Sequence, residues 1–276
     1  MVSTMMYQYR SNIDNNYRVS LTDILCKTRI STVYNTSDQD VVAKVYEDIN
    51  PMKSIFRREL KFYENRQVKS VIGNCLGYRY LHHKKKHVLY LKKYVALESY
   101  LKQRLNVINT LDDNLVKRIC LQLLNFTLKI HEYGYYHTDI NPSNMVYCNK
   151  TERAILIDYG SVFNFKQSSY RRPLLNYNFS SLDTHYQKFK YNISDELESL
   201  FYSWIVLFSS EALPWHGIGD LTRIKYLKRN TPVEQLVSGI ISETIQQIFL
   251  NYFHQLKYDI MNRHEINKSF YINLFS

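Results

Sequence analysis

The sequence predicts an α+β fold in two lobes: a small antiparallel sheet carrying one helix, then a larger and mainly helical part. Three observations predict it. Between Tyr17 and Val95 the apolar residues fall in short runs of the kind strands use. Beyond Tyr94 they recur at helical spacing over longer stretches. With 276 residues, 45% of them hydrophobic and 22% charged, the chain has enough apolar material for a full core.

Taken in order, the strand runs are Val41-Val42-Ala43-Lys44-Val45-Tyr46, Cys75 to Leu81 and Val88 to Leu91. A single helix interrupts them. Pro51 is a start signal, and Ser54 to Arg66 sets Ile55, Leu60, Phe62 and Tyr63 among charges. In the second part, Leu111-Asp112-Asp113 opens a long helix reaching His131, with Leu115, Ile119, Leu123, Phe126 and Ile130 on its apolar face and the two acids at its positive end. Gly134 is placed to end it. A short strand pair follows around Asn144 to Tyr147 and Ala154 to Asp158, then a polar segment from Asn164 to Asn178. Asp195 to Phe208 is apolar on nearly every side and reads as a buried central helix, and Pro232 to Leu256 reads as one amphipathic stretch. The lobes are expected to divide into residues 1–93 and 94–276, with no repeat and no low-complexity linker.

Composition removes several functions. The chain has 36 Lys and Arg against 25 Asp and Glu, a charge of +11 that favours acidic partners without choosing among them. Only 7 glycines occur where average usage gives roughly 19, so collagen, propellers and dinucleotide fingerprints recede. Apolar runs such as Trp204 to Phe208 fall far short of the ~20 residues that span a bilayer. Met1 to Asn15 is too polar for a signal peptide, so the expected location is intracellular, in cytoplasm or nucleus, with no membrane partner. Cys26, Cys75, Cys120 and Cys148 are scattered without a C-x-x-C pair, which argues for reduced thiols and against zinc.

The chemistry sits in His137-Thr138-Asp139-Ile140-Asn141-Pro142-Ser143-Asn144, followed by Ile155-Leu156-Ile157-Asp158-Tyr159-Gly160. An Asp, an Asn and a second Asp flank a short hairpin. Magnesium takes hard oxygen ligands, which an amide and a carboxylate supply, while a separate carboxylate is left to orient a hydroxyl. Turn-forming Asp and Asn alone could produce such a loop. Upstream, however, Lys44 ends Val41-Val42-Ala43-Lys44, and Glu59 lies on the inserted helix where it can pair with that lysine. Four pieces in this order resemble the protein kinase superfamily, with its strand lysine, helix glutamate, H-R-D-x-x-x-x-N loop and D-F-G aspartate. Glu59-Leu60-Lys61-Phe62-Tyr63, Ser181-Leu182-Asp183-Thr184-His185, Asp195-Glu196-Leu197-Glu198-Ser199-Leu200, Leu213-Pro214-Trp215 and the tail from Leu250-Asn251-Tyr252 to Phe275 resemble the casein kinase 1 and vaccinia-related kinase branch. The abundance of Asn, Lys, Tyr and Ile would suit an AT-rich viral genome.

The resemblance implies a serine/threonine kinase using ATP and Mg²⁺. It makes Asp139 the catalytic base, Asn144 and Asp158 the metal ligands, Lys44 the group on the α/β-phosphates, and Glu59 the partner that holds Lys44. It places the nucleotide between the lobes, against Cys26, Thr28, Ser31, Val33, Ala43, Leu91 and Tyr94. It also implies a protein substrate that is acidic or phosphorylated, toward which Arg171-Arg172 could serve. Nucleic acid is not an expected partner, since no recognised module stands behind the basic surface.

The departures are as specific as the matches. Cys26, Thr28 and Ser31 stand where the family has its three glycines, with Lys27 and Arg29 between them. Thr138 replaces the loop arginine, and Asn141 replaces a lysine that neutralises the transferring phosphate. Asn176 and Asn178 fall near the family's threonine and its anion-binding arginine, and Glu196 stands for the central-helix aspartate. A pseudokinase acting through partners is therefore the alternative. Bland readings cover the rest: His82-His83-Lys84-Lys85-Lys86-His87 as a solvated hairpin tip, the 25 tyrosines as packing, Trp204 and Trp215 as core and loop anchors, and His137 as a brace for the catalytic loop.

Overall fold

A computed structural model describes residues 19–72, 74–108, 111–166, 175–186 and 191–276. The chain divides into two compact units, Met1–Lys93 and Tyr94–Ser276. The α+β class expected from the sequence is the class observed.

In the first unit, strands β1 (Leu21–Lys27), β2 (Thr32–Thr36), β3 (Val41–Glu47), β4 (Cys75–Leu81) and β5 (Lys86–Lys92) form an antiparallel sheet in the order β1-β2-β3-β5-β4. Side chains alternate across a strand, so Val41, Ala43 and Val45 pack with Val88 and Tyr90 on one face. Val42, Lys44 and Tyr46 take the other. Helix α1 (Met52–Glu64) packs on β3 and β5, and the rings of Tyr46 and Phe56 lie 5.8 Å apart. This stacking gives Lys44 a helix to meet.

The single inserted helix expected from the sequence is two helices. After α1, Asn65 is extended, with φ −63° and ψ 121°, and α2 (Arg66–Ile72) begins anew. The Asn65 side chain accepts from the amides of Gln67 at 3.0 Å and Val68 at 3.4 Å. A side-chain acceptor of this kind starts a helix.

The second unit opens with β6 (Val95–Ala96) and α3 (Leu97–Ile108), a helix the sequence reading did not place. The long helix α4 (Asp113–Glu132) is capped by Asp112 and ended by Gly134 at φ +89°. Next come β7 (Tyr135–Tyr136), the hairpin of β8 (Met145–Cys148) and β9 (Arg153–Leu156), then β10 (Phe163–Asn164) and α5 (Leu182–Tyr186). Helix α6 (Ile193–Phe208) is the expected central helix, with Leu197, Leu200, Phe201 and Trp204 fully buried. Helix α9 (Glu243–Asn262) packs on it, α8 (Val233–Val237) packs on α9, α7 (Leu221–Asn230) on α5, and α10 (Lys268–Asn273) on α4. An aromatic seam joins α6 to α9 and the C-terminus: Phe201 stacks on Phe253 at 4.2 Å, and Trp204 meets Tyr252 at 5.1 Å and Phe275 at 5.3 Å.

The amphipathic stretch Pro232 to Leu256 is helical as expected and falls into α8 and the first part of α9. Between α8 and α9, a Cβ on Gly239 would come within 2.2 Å of Ser209 Oγ, so the backbone there lies tight against its neighbour. Ser242 then starts α9 by accepting from Ile245 N and also donates to Asp113 at 2.9 Å. Among the described residues no helix is long and apolar enough to cross a membrane.

Candidate active site

In the first unit, Lys44 and Glu59 meet as the sequence expects. Nζ of Lys44 lies 3.2 and 3.1 Å from the two carboxylate oxygens of Glu59, and both side chains are buried. Tyr46, two residues along the same strand face, donates its hydroxyl to the same carboxylate, and its ring lies 5.4 Å from the ammonium. A buried carboxylate stays tolerable only with such partners. Tyr46 was missed in the sequence, although its period-2 spacing from Lys44 is the signal that could have found it.

Three expected site residues share one row of the sheet. Cys26 pairs with Val33 across β1 and β2, and Val33 pairs with Lys44 across β2 and β3. Ala43 is buried beside them, Leu91 lies on β5 opposite Val42, and Cys26 is exposed. The turn joining β1 to β2 holds Thr28 and Ser31, two of the positions where the resemblance leads one to expect glycine. Thr28 closes it: Oγ1 accepts from Ile30 N at 3.2 Å and Ser31 N at 3.1 Å, while Thr28 N donates to Ser31 O at 2.9 Å. The amides of Thr28, Ile30 and Ser31 are thus engaged internally, where a glycine loop would direct its amides at phosphate.

In the second unit the loop after β7 is fixed atom by atom. His137 is buried, with its Nε2 3.0 Å from Ile157 O and its ring 5.2 Å from that of Tyr159, which makes it the expected brace. Thr138 takes φ +64°, a conformation a β-branched residue adopts only under constraint. The constraint is Glu196 of α6, which accepts from Thr138 N at 2.7 Å and pairs with Nε2 of His131 at 2.5 Å. Thr138 Oγ1 also donates to Ser161 O at 2.8 Å.

Asp139 sits half-buried between two amides. Asn141 donates to its Oδ1 at 2.9 Å, and Asn144 donates to its Oδ2 at 3.1 Å and to its backbone carbonyl at 2.8 Å. A neutral amide therefore stands at Asn141, and it orients the carboxylate. An open cavity of about 420 Å³ borders Asp139, Leu175, Asn176 and Tyr177. The segment forming its wall is anchored from below: Trp215 Nε1 donates to Asn178 O at 2.8 Å, and buried Lys228 donates to Ser180 O. Of these, Asn176 was singled out in the sequence, whereas Lys228, Leu175 and Tyr177 escaped it, since nothing local to them signals a site. Arg171 and Arg172 lie outside the described residues.

Asn144 and Asp158 flank the β8–β9 hairpin, and Asn144 O accepts from Ile157 N at 2.9 Å. Because Nδ2 of Asn144 is engaged by Asp139, its amide oxygen is the atom left for a cation. Asp158 is left-handed at φ +66°, and its Oδ1 accepts from Gly160 N at 3.2 Å. An amide oxygen and a carboxylate fit a hard cation that keeps water or phosphate oxygens in its remaining positions. Among the described residues no group of three His, Cys, Asp or Glu side chains forms a closed metal cage. Tyr94, the first residue of the second unit, is half-buried, and burial pushes its phenol up to about 12.

No family model matches the chain. It is 31% identical over 87 residues to the cell division cycle 7-related protein kinase of Homo sapiens, a match covering 32% of this chain and 14% of that protein. It is 30% identical over 147 residues to a protein of Encephalitozoon cuniculi described as a probable casein kinase I homolog, covering 48% of this chain and 47% of that one. A protein of Dictyostelium discoideum described as a probable serine/threonine-protein kinase is 27% identical over 155 residues, or 51% of this chain and 30% of that one. These relatives support the protein kinase superfamily. The chain spans less than half the length of the curated relatives it matches.

Proposed function

We propose that the chain transfers the γ-phosphoryl group of ATP to serine or threonine hydroxyls of an acidic or phosphorylated protein, as an intracellular kinase of the casein kinase 1 and vaccinia-related kinase branch with a composition suited to a viral genome. The observation that carries this reading is Asp139, a carboxylate held at both oxygens by neutral amides at the edge of an open cavity. Held so, it can accept the hydroxyl proton and orient the oxygen for in-line attack. Lys44, fixed by Glu59 and Tyr46, supplies the ammonium for the α/β-phosphates. Asn144 and Asp158 would hold Mg²⁺, which when bound neutralises charge on the phosphates. The neutral Asn141 leaves the transition state less compensated than a lysine would, so turnover is slow.

The pseudokinase reading is favoured by one feature, the β1–β2 turn whose amides Thr28 engages. Incubation with labelled ATP and Mg²⁺, with casein as acceptor, separates the two. Transfer by the wild type that is lost in Lys44→Met and Asp158→Asn supports the kinase. No transfer from folded protein, with or without thermal stabilisation by ATP, refutes it.

A further inference from the structure

The positive charge is not spread evenly. Residues 1–93 hold 17 Lys and Arg against eight Asp and Glu, a balance of +9 out of the chain's +11. Part of that excess is gathered at one place, because the turn between β4 and β5 is tied to the start of α1. Asp48, in the connection from β3 to α1, donates its amide to Lys85 O at 2.9 Å. Its carboxylate accepts from Lys53 at 2.7 Å and Tyr80 at 2.8 Å and lies 3.1 Å from His87. Phe56 of α1 stacks on His87 at 4.4 Å. The turn residues His82 to Lys85 therefore stand beside Lys53 and Arg57.

The local acids do not balance these cations. Glu47 is engaged by Lys86 at 2.9 Å, and Asp48 by Lys53, Tyr80 and His87. Those contacts hold the Asp48 carboxyl well below the usual carboxylate range, with Lys53 the largest contributor. Arg57, Lys84 and Lys85 are exposed and have no carboxylate partner among the described residues. Helix stability does not explain the arrangement, since α1 carries Lys53 and no acid in its first turn, where the helix dipole favours anions. Nor does turn geometry, since Lys85 occupies a left-handed position at φ +48° that suits Gly or Asn better.

We propose that this surface docks an acidic polypeptide segment, whose carboxylates or phosphates meet Lys84, Lys85, Arg57 and Lys53. The aromatics favour a peptide over single-stranded nucleic acid. Phe56 is buried, and Tyr80 is engaged by Asp48 and by the rings of His82 and His87 at 4.6 and 4.7 Å, so neither offers a stacking platform for bases. The convex tip of a hairpin also meets a flexible chain over a few residues, where lysines act as point charges toward carboxylate or phosphate alike.

The test needs no phosphate transfer, so its failure is separate from failure of the kinase reading. Fluorescence anisotropy would follow a labelled deca-glutamate peptide, a phosphoserine peptide, a neutral peptide and a 20-base single strand on the wild type and on Lys84→Glu/Lys85→Glu, with circular dichroism checking the fold. Arg57→Ala provides a second variant outside the turn. The expected result is acidic-peptide binding that weakens with salt, falls about tenfold or more in the double variant and falls less in Arg57→Ala. Equal affinity in wild type and variants, no peptide binding, or tighter binding of the single strand would each overturn the proposal.

Discussion

The loop around Asp139 and the turn around Thr28 are built by the same device and reach opposite ends. In both, a short polar side chain bonds nearby groups to fix an irregular backbone. Asn141 and Asn144 donate to Asp139 and hold a carboxylate at the edge of a cavity. Thr28 accepts from the amides of Ile30 and Ser31 and keeps the turn's donors to itself. The first region is preorganised toward a reactant, and the second toward its own closure. If the proposed function holds, chemistry persists in one part of the chain while the turn expected to grip phosphate is reshaped.

The largest test of that contrast is Asp139→Asn. The amide keeps the size of the side chain but cannot accept the hydroxyl proton, so phosphate transfer should fall by about 10²–10⁴ in a variant that stays folded by circular dichroism, with a stability loss of about 1–3 kcal/mol because its amide nitrogen faces the Asn141 or Asn144 donor. Unaltered transfer in an initial-rate assay would show that the braced carboxylate is not the base. Glu196→Ala reaches the same loop from beneath. It leaves the Thr138 amide and His131 without their buried acceptor, and urea unfolding should show a loss of about 3 kcal/mol. Glu196→Gln should lose less, because its amide oxygen still accepts from Thr138.

The contrast also marks what a sequence can disclose. Lys44, Glu59, Asp139, Asn144 and Asp158 stand in fixed order, and α6 could be read from an apolar run that has no polar face. Boundaries set by a single side chain were not legible: Asn65 starts a second helix in the first unit, and Ser242 starts α9 after a break. Helix α3 mixes charges through its apolar spacing and carried too faint a period. The partners of Glu196 come from α4 and from the loop after β7, positions 65 and 58 residues away, and no local pattern joins them. Thr28 could be seen to replace a glycine, but the direction in which its hydroxyl bonds is a property of the folded turn.

A smaller effect concerns the floor beneath the cavity wall. Burial lowers the Lys228 amine to about 7 from an ordinary 10.5. Above pH 7 the unfolded chain then binds more protons than the folded one, so stability rises with pH up to about 10.5 and gains nothing from this group below 7. His185, lowered to about 3 by burial, adds stability as pH rises from 3 to 6.5, whereas Asp195, raised to about 7 by burial, removes it from 3.8 to 7. Those two oppose each other below 7 and leave pH 7 to 9 to Lys228, since from 9 upward the Cys75 and Cys120 thiols, raised by burial, act in the opposite sense. Unfolding free energies from urea should climb between pH 7 and 9 by about 1–3 kcal/mol in the wild type and stay flat in Lys228→Met. A parallel climb in the variant would assign the effect to other groups.

The smallest expected change bears most directly on the turn. Thr28→Val keeps the β-branched shape and removes the hydroxyl that accepts from Ile30 N and Ser31 N, at a cost of about 1 kcal/mol in stability. Its consequence for nucleotide depends on what the closed turn does. If the chain grips ATP chiefly through Lys44 and the turn stands apart because its amides are engaged, freeing them gives two donors to phosphate, and ATP affinity rises a few-fold while AMP affinity stays constant. Isothermal titration with ATP and AMP reads the difference. Equal behaviour of the two nucleotides in wild type and variant would mean the turn lies away from phosphate however its amides are arranged, and the reshaping at Thr28 would then reflect a surface with another use rather than a modified lid.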